Sequence, residues 1–151
     1  MADHRAEQII NAFVAIVTGL AATAGRVKRA RVYNIGSTQV PSISIYMGPD
    51  TPLEAADGQT KFNFIDKEFT IAAVIHVKKI VEYEADLSEI RKQVHIAVMS
   101  NNQLGLPSFV VQTIWRGADT PELDAGAEKP TATQQLNWAV RYRHGFADPS
   151  Q

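Results

Sequence analysis

Apolar residues recur at helical spacing near the start of the chain. Ile9, Phe13, Ile16, Val17 and Leu20 follow one another in steps of three and four, and Ile10, Val14 and Ala21 widen the stripe. The pattern predicts a helix from about Asp3 to Ala24, with Asp3 as N-cap and Gly25 as its C-terminal stop. A stripe this broad implies burial on more than one side, a sheet covering one part and another subunit the rest.

The period then changes to two. Val27–Ile35 reads as a strand, with Arg29, Arg31 and Tyr33 on one face and Ala30 and Val32 on the other. Gly36-Ser37-Thr38 reads as a turn, and Ser42–Met47 as a second strand, so the two are expected to form a hairpin. Gly48–Asp66 interrupts the pattern with Pro49, Pro52, Gly58 and the acidic residues Asp50, Glu54 and Asp57, and is expected to be a long flexible loop. Alternation returns over Glu68–Lys79, where Phe69, Ile71, Ala73, Ile75 and Val77 make the buried face. Leu87, Ile90, Val94, Ala97 and Val98 then predict a second helix from Asp86 to about Ser100, opened by a capping-box-like Asp86…Glu89 and ended by Asn101, Asn102 and Gly105.

Two further strands close the chain. In the first, Phe109, Val111, Thr113 and Trp115 alternate with Val110, Gln112, Ile114 and Arg116. A polar segment, Gly117–Pro130, precedes a long strand in which Ala132, Gln134, Leu136, Trp138, Val140 and Tyr142 share one face. The order is α-β-β-β-α-β-β. It predicts one α+β domain over residues 1–151: a mainly antiparallel sheet of about five strands with two helices on one face.

Composition narrows the functional classes. Fifteen basic and sixteen acidic residues leave a net charge of −1, so no global field draws the chain to nucleic acid or to an anionic membrane. The absence of cysteine excludes disulfides, thiolate nucleophiles and cysteine-bound metals. The uncharged run Ile9–Gly25 ends in small residues like a secretion signal. However, Asp3 and Glu7 offset Arg5 ahead of it, where a signal requires net positive charge, and a core helix is the better reading.

Catalytic patterns are missing. There is no glycine-rich phosphate loop and no G-x-S-x-G elbow. None of the four histidines (His4, His76, His95 and His144) sits at metal-ligand spacing from another. Glu82, Glu84 and Asp86 lie close in sequence, but negative charge is favoured at a helix start in any case. The basic cluster Arg26, Lys28, Arg29, Arg31 lacks the interleaved aromatics of a nucleic-acid platform, with Tyr33 alone nearby. With Arg141 and Arg143 it suits carboxylate pairing across a subunit interface.

Several local features of the second half recur together. They are the strand ending His76-Val77, the helix Asp86-Leu87-Ser88-Glu89-Ile90-Arg91-Lys92-Gln93-Val94 and its continuation to Met99, and Leu104-Gly105. After these come Trp115-Arg116-Gly117, the acidic turn Thr120-Pro121-Glu122-Leu123-Asp124 and the closing Val140-Arg141-Tyr142-Arg143. In this combination Phe69–Ser150 resembles the tail terminator proteins of long-tailed, siphovirus-type bacteriophages, the family of the lambda minor tail protein U. The first half fits more loosely, through its long helix followed by a strand.

The resemblance implies a hexameric ring at the head-proximal end of the virion tail, assembled in the host cytoplasm. Such a ring caps the tail tube, stops its polymerisation and presents a joining surface to the head. Its partners would be copies of itself, the tail tube protein and the head–tail connector protein. It implies no catalysis, cofactor, metal or membrane, and no sequence-specific nucleic acid, although DNA would pass through the ring. The expected subunit interface pairs Arg29, Arg31, Arg141 and Arg143 with Asp119, Glu122 and Asp124 of a neighbour, while Asp50, Glu54, Asp57 and Lys61 are expected to contact a partner. The competing readings are another head–tail connector or tail-completion protein and, from a different class, a small nucleic-acid-binding domain built on the arginine strand.

Overall fold

The computed structural model describes residues 3–30, 40–53, 64–78, 82–123, 131–145 and 147–151. Its centre is a pair of long antiparallel strands, β3 (Phe64–Lys78) and β6 (Thr131–Gly145), in register along their whole length from Phe64↔Gly145 to Lys78↔Thr131. β2 (Ser42–Pro52) flanks β3, and β1 (Val27–Arg29) flanks β2. β4 (Val110–Ala118) lies on the other side of β6, where the two-residue β5 (Glu122–Leu123) also pairs.

Both helices pack on one face of this sheet. The period-two residues of β3 (Phe69, Ile71, Ala73, Ile75, Val77) and of β6 (Leu136, Trp138, Val140, Tyr142) are all buried. They meet Ile9, Ile10, Phe13 and Val17 of α1 (Arg5–Thr18) and Leu87, Ile90, Val94 and Val98 of α2 (Tyr83–Met99) in a single apolar cluster. Each large side chain removed from water here contributes roughly 1.5–3 kcal/mol before the entropy of ordering it is counted. The α+β architecture, the strand order along the chain and these core faces agree with the sequence reading.

Five local expectations are corrected. First, α1 stops at Thr18, whose Oγ1 donates to Val14 O at 2.6 Å. Gly19 caps it, and after an extended Leu20 the chain makes a single 3-10 turn, Ala21–Thr23. At the other end the N-cap is His4, not Asp3, and its ring accepts a hydrogen bond from Ala6 N.

Second, β1 and β2 are parallel, with Val27 opposite Ile43 and Arg29 opposite Ile45, so they are not a hairpin. A parallel pair needs a crossover of about a dozen residues or more instead of a tight turn. Arg31, Tyr33 and the Gly36-Ser37-Thr38 turn lie outside the described residues.

Third, the long-loop assignment is too long at both ends. Gly48–Pro52 continue β2 across a bulge between Met47 and Asp50, and Phe64–Asp66 begin β3. Glu54, Asp57 and Lys61 lie outside the described residues.

Fourth, α2 begins at Tyr83, a turn earlier than the supposed capping box, with Glu82 as an N-cap that makes no side-chain cap bond. Glu89 instead accepts from Gln93 at 3.1 Å and lies 3.5 Å from Lys92.

Fifth, simple alternation fails in β4. Register shifts at Val110/Gln112 and Trp115/Gly117 make both Phe109 and Val110 buried and leave Val111 58% exposed.

Candidate interaction surface

The sheet face turned away from the helices carries an ionic row. Glu68 on β3 receives Arg116 Nη2 at 2.8 Å and Arg141 Nε at 3.2 Å, and next to it Asp66 receives Arg143 Nε at 2.7 Å and Nη2 at 3.2 Å. The row follows from the register, which sets Glu68 opposite Arg141 and Asp66 opposite Arg143. Burial raises the Glu68 carboxyl, but the two guanidiniums outweigh it and the net shift is downward. Hydrogen bonds from Arg143 hold Asp66 below the usual carboxylate range. Farther along β6, Asn137 Nδ2 donates to Asp119 Oδ1 at 3.0 Å.

These contacts place the arginines singled out in the sequence. Arg141 and Arg143 have carboxylate partners within the chain, and Arg29 is bound by Glu7 of α1 at 2.5 Å. Asp50 is equally engaged, accepting from Lys67 Nζ at 2.9 Å and from the buried Tyr142 hydroxyl at 2.8 Å. Burial first, and Asp50 second, push the Tyr142 phenol far above its ordinary range. Glu122 is exposed on β5, and Arg31 and Asp124 lie outside the described residues.

Sequence reasoning missed a second feature. Between α2 and β4 runs an open groove of about 400 Å³ lined by Ser88, Arg91, Lys92, His95, Ile96 and Trp115. Trp115 forms its floor and packs on Trp138 with ring centroids 4.6 Å apart, while His95 sits edge-on to Trp115 at 5.5 Å. The Arg91 guanidinium lies 5.6 Å from the centre of the Trp115 ring. Beside the groove Ile96 is 55% and Met99 37% exposed. One signal was available: Ser88, Arg91, Lys92, His95, Ile96 and Met99 repeat at steps of three and four, a second helical stripe beside the core stripe.

A serine–histidine pair also occurs, Ser44 Oγ and His76 Nε2 being 3.2 Å apart. Ser44 is fully buried, so its hydroxyl is closed to a substrate. Among the described residues no group of three or more His, Cys, Asp and Glu side chains is placed to hold a metal ion, and no helix is long and apolar enough to cross a membrane.

No protein-family model and no curated protein matches the chain. Among solved structures, a chain of the "Virion of native gene transfer agent (GTA) particle" is similar, with a TM-score of 0.60 over 89% of this chain and 93% of that chain, at 14% sequence identity. At that identity the likeness establishes a shared fold, here one that spans nearly the whole of both chains.

Proposed function

We propose that the chain is a structural protein of a phage-type virion, and specifically a tail terminator. In this reading it is a ring of identical subunits that caps the tail tube, ends its polymerisation and offers the head–tail joining surface. The observation that carries the reading is the fold shared, almost end to end, with a chain of a gene transfer agent virion. The terminator-like string from His76-Val77 to Arg141-Tyr142-Arg143 narrows it.

The nucleic-acid reading loses its footing. Arg29, Arg141 and Arg143 already neutralise carboxylates of their own chain, which leaves less charge for phosphates. In a ring these arginines would act as shared groups. The Arg143 side chain is 51% exposed in its pair with Asp66, so it can also receive a carboxylate such as Glu122 from a neighbour.

The test is assembly. Tube protein polymerised with this chain should give tubes that stop and carry a six-fold cap visible by electron microscopy. Tubes that grow on uncapped at a molar excess of the chain would overturn the terminator reading. Binding to the head connector without binding to tubes would move the assignment to another connector or tail-completion protein.

A further inference from the structure

The charge order along α2 is not what the helix dipole alone would select. Its acidic start, Glu84 and Asp86 just after Glu82, suits the positive end of the dipole. The cations that should balance it belong in the last turn, and the last turn has none. Instead Arg91, Lys92 and His95 occupy the middle of the helix, and exposed Ile96 and Met99 occupy the end.

Within the chain these groups are poorly matched. Lys92 reaches Glu89, but among the described residues Arg91 meets only the Trp115 ring, and Glu84 meets the Tyr83 hydroxyl and no cation. The mismatch disappears if the same helix is laid beside itself in the opposite direction. With the two-fold axis near Ser88, Glu84 of one copy faces Lys92 of the other, with Arg91 beside it, and Tyr83 comes opposite Gln93, within a turn of His95 and Ile96. A parallel arrangement would set like charge against like. Glu84, Ser88, Arg91, Lys92, His95, Ile96 and Met99 form one continuous exposed stripe, so a straight helix presents them together.

From this self-complementarity we infer that the α2–β4 groove docks α2 of a second copy of this chain, antiparallel and about a two-fold axis. One surface supplies both halves of the match, as an isologous contact requires. Charge sets the direction, while Trp115 and Ile96 supply apolar area at the edge. The inference does not rest on the terminator reading. A head-to-tail ring uses two different surfaces and does not place Ser88 against its own copy.

The test uses the full chain and exploits its lack of cysteine. Ser88→Cys should give a disulfide-linked dimer under mild oxidation, whereas Lys28→Cys, exposed at the opposite sheet edge, should not. In sedimentation at micromolar concentration, Arg91→Glu and Glu84→Arg should each weaken self-association on the order of tenfold, because two symmetry-related pairs are reversed at once. The combined Glu84→Arg/Arg91→Glu chain should recover most of that loss, because both pairs are re-formed with opposite sense. A Ser88→Cys chain that stays monomeric, or a double variant no better than the singles, overturns the inference. Capping of tubes by the same variants is scored separately, so the loss of one reading leaves the other standing.

Discussion

The two helices divide the labour of the helical layer unequally. α1 carries the longer apolar run, and its sequence predicts a surface too wide for one sheet face. In the fold that surplus is absorbed internally: Ile9, Ile10, Phe13 and Val17 are fully buried, and Val14, Ile16 and Leu20 are partly buried against the same cluster. None of the large hydrophobic residues left exposed belongs to α1 among the described residues. α2 reads as the more ordinary amphipathic helix, yet it leaves Ile96 and Met99 in water beside an aromatic groove. Total hydrophobicity therefore does not locate the free apolar surface. What matters is which flank each helix leaves uncovered: α1 is enclosed by α2, β1 and β2, whereas α2, although packed on β3, β6, α1 and the 3-10 turn, leaves the flank beside Trp115 open.

The sharpest way to break this comparison is to damage each core stripe. Val94 and Phe13 are both completely buried, one on each helix. Val94→Asp places an unpaired charge in the cluster and should cost several kcal/mol, about as much as any single change here. Phe13→Ala removes a ring whose centroid lies 6.3 Å from that of Trp138, and should cost about 3–5 kcal/mol. Urea or thermal unfolding measures both. If the Phe13 variant kept its stability, α1 would be peripheral and its broad face would need another explanation.

How far the sequence carried depended on what each pattern encodes. Period-two burial in β3 and β6 and the Leu87-Ile90-Val94-Val98 stripe were legible because the partner of each is simply the core. Strand direction was not, because alternation is the same in parallel and antiparallel pairs, so Val27–Arg29 read as half of a hairpin. Bulges were invisible for a similar reason: one inserted residue at Val111 reverses the parity of everything before it. The arginines were found, but their partners were not. Pairing Arg141 with Glu68 and Arg143 with Asp66 requires the register of two strands far apart in sequence. The groove at Trp115 was missed because it joins α2 to β4, and neither segment shows it alone.

A smaller effect separates the way each helix is held at its exposed side. α1 is tied to β1 by Glu7 and Arg29, whose side chains are about a third exposed. The hydrogen bond from Arg29 holds the Glu7 carboxyl below its ordinary value. A folded-state value below the unfolded one means that the stabilisation is full above the unfolded value. It is lost as pH falls through the folded one. Solvent screening keeps the contribution under about 1 kcal/mol. Urea midpoints taken between about pH 6 and about pH 3 should therefore fall, and fall less in Glu7→Gln. An equal fall in both chains would assign the acid sensitivity elsewhere, with Asp66 and Glu68 the first to examine, since both are also lowered by arginines.

The smallest expected change in stability sits where the comparison between the helices is most exposed to failure. Ile96 and Met99 lie on the open flank of α2, 55% and 37% exposed. Replacing either with serine removes apolar area that already faces water, so the folded chain should change by no more than about 0.5 kcal/mol. If the flank belongs to a contact with another chain, the effect belongs to association instead. Ile96→Ser should lower the self-association measured by sedimentation while the unfolding midpoint of the dilute chain stays in place. A clear loss of stability in the monomer would mean that Ile96 is covered from within, and the contrast between a sealed α1 and an open α2 would fail. Unchanged stability together with unchanged association would leave the contrast intact and remove Ile96 from the docking surface, shifting its apolar part to Trp115.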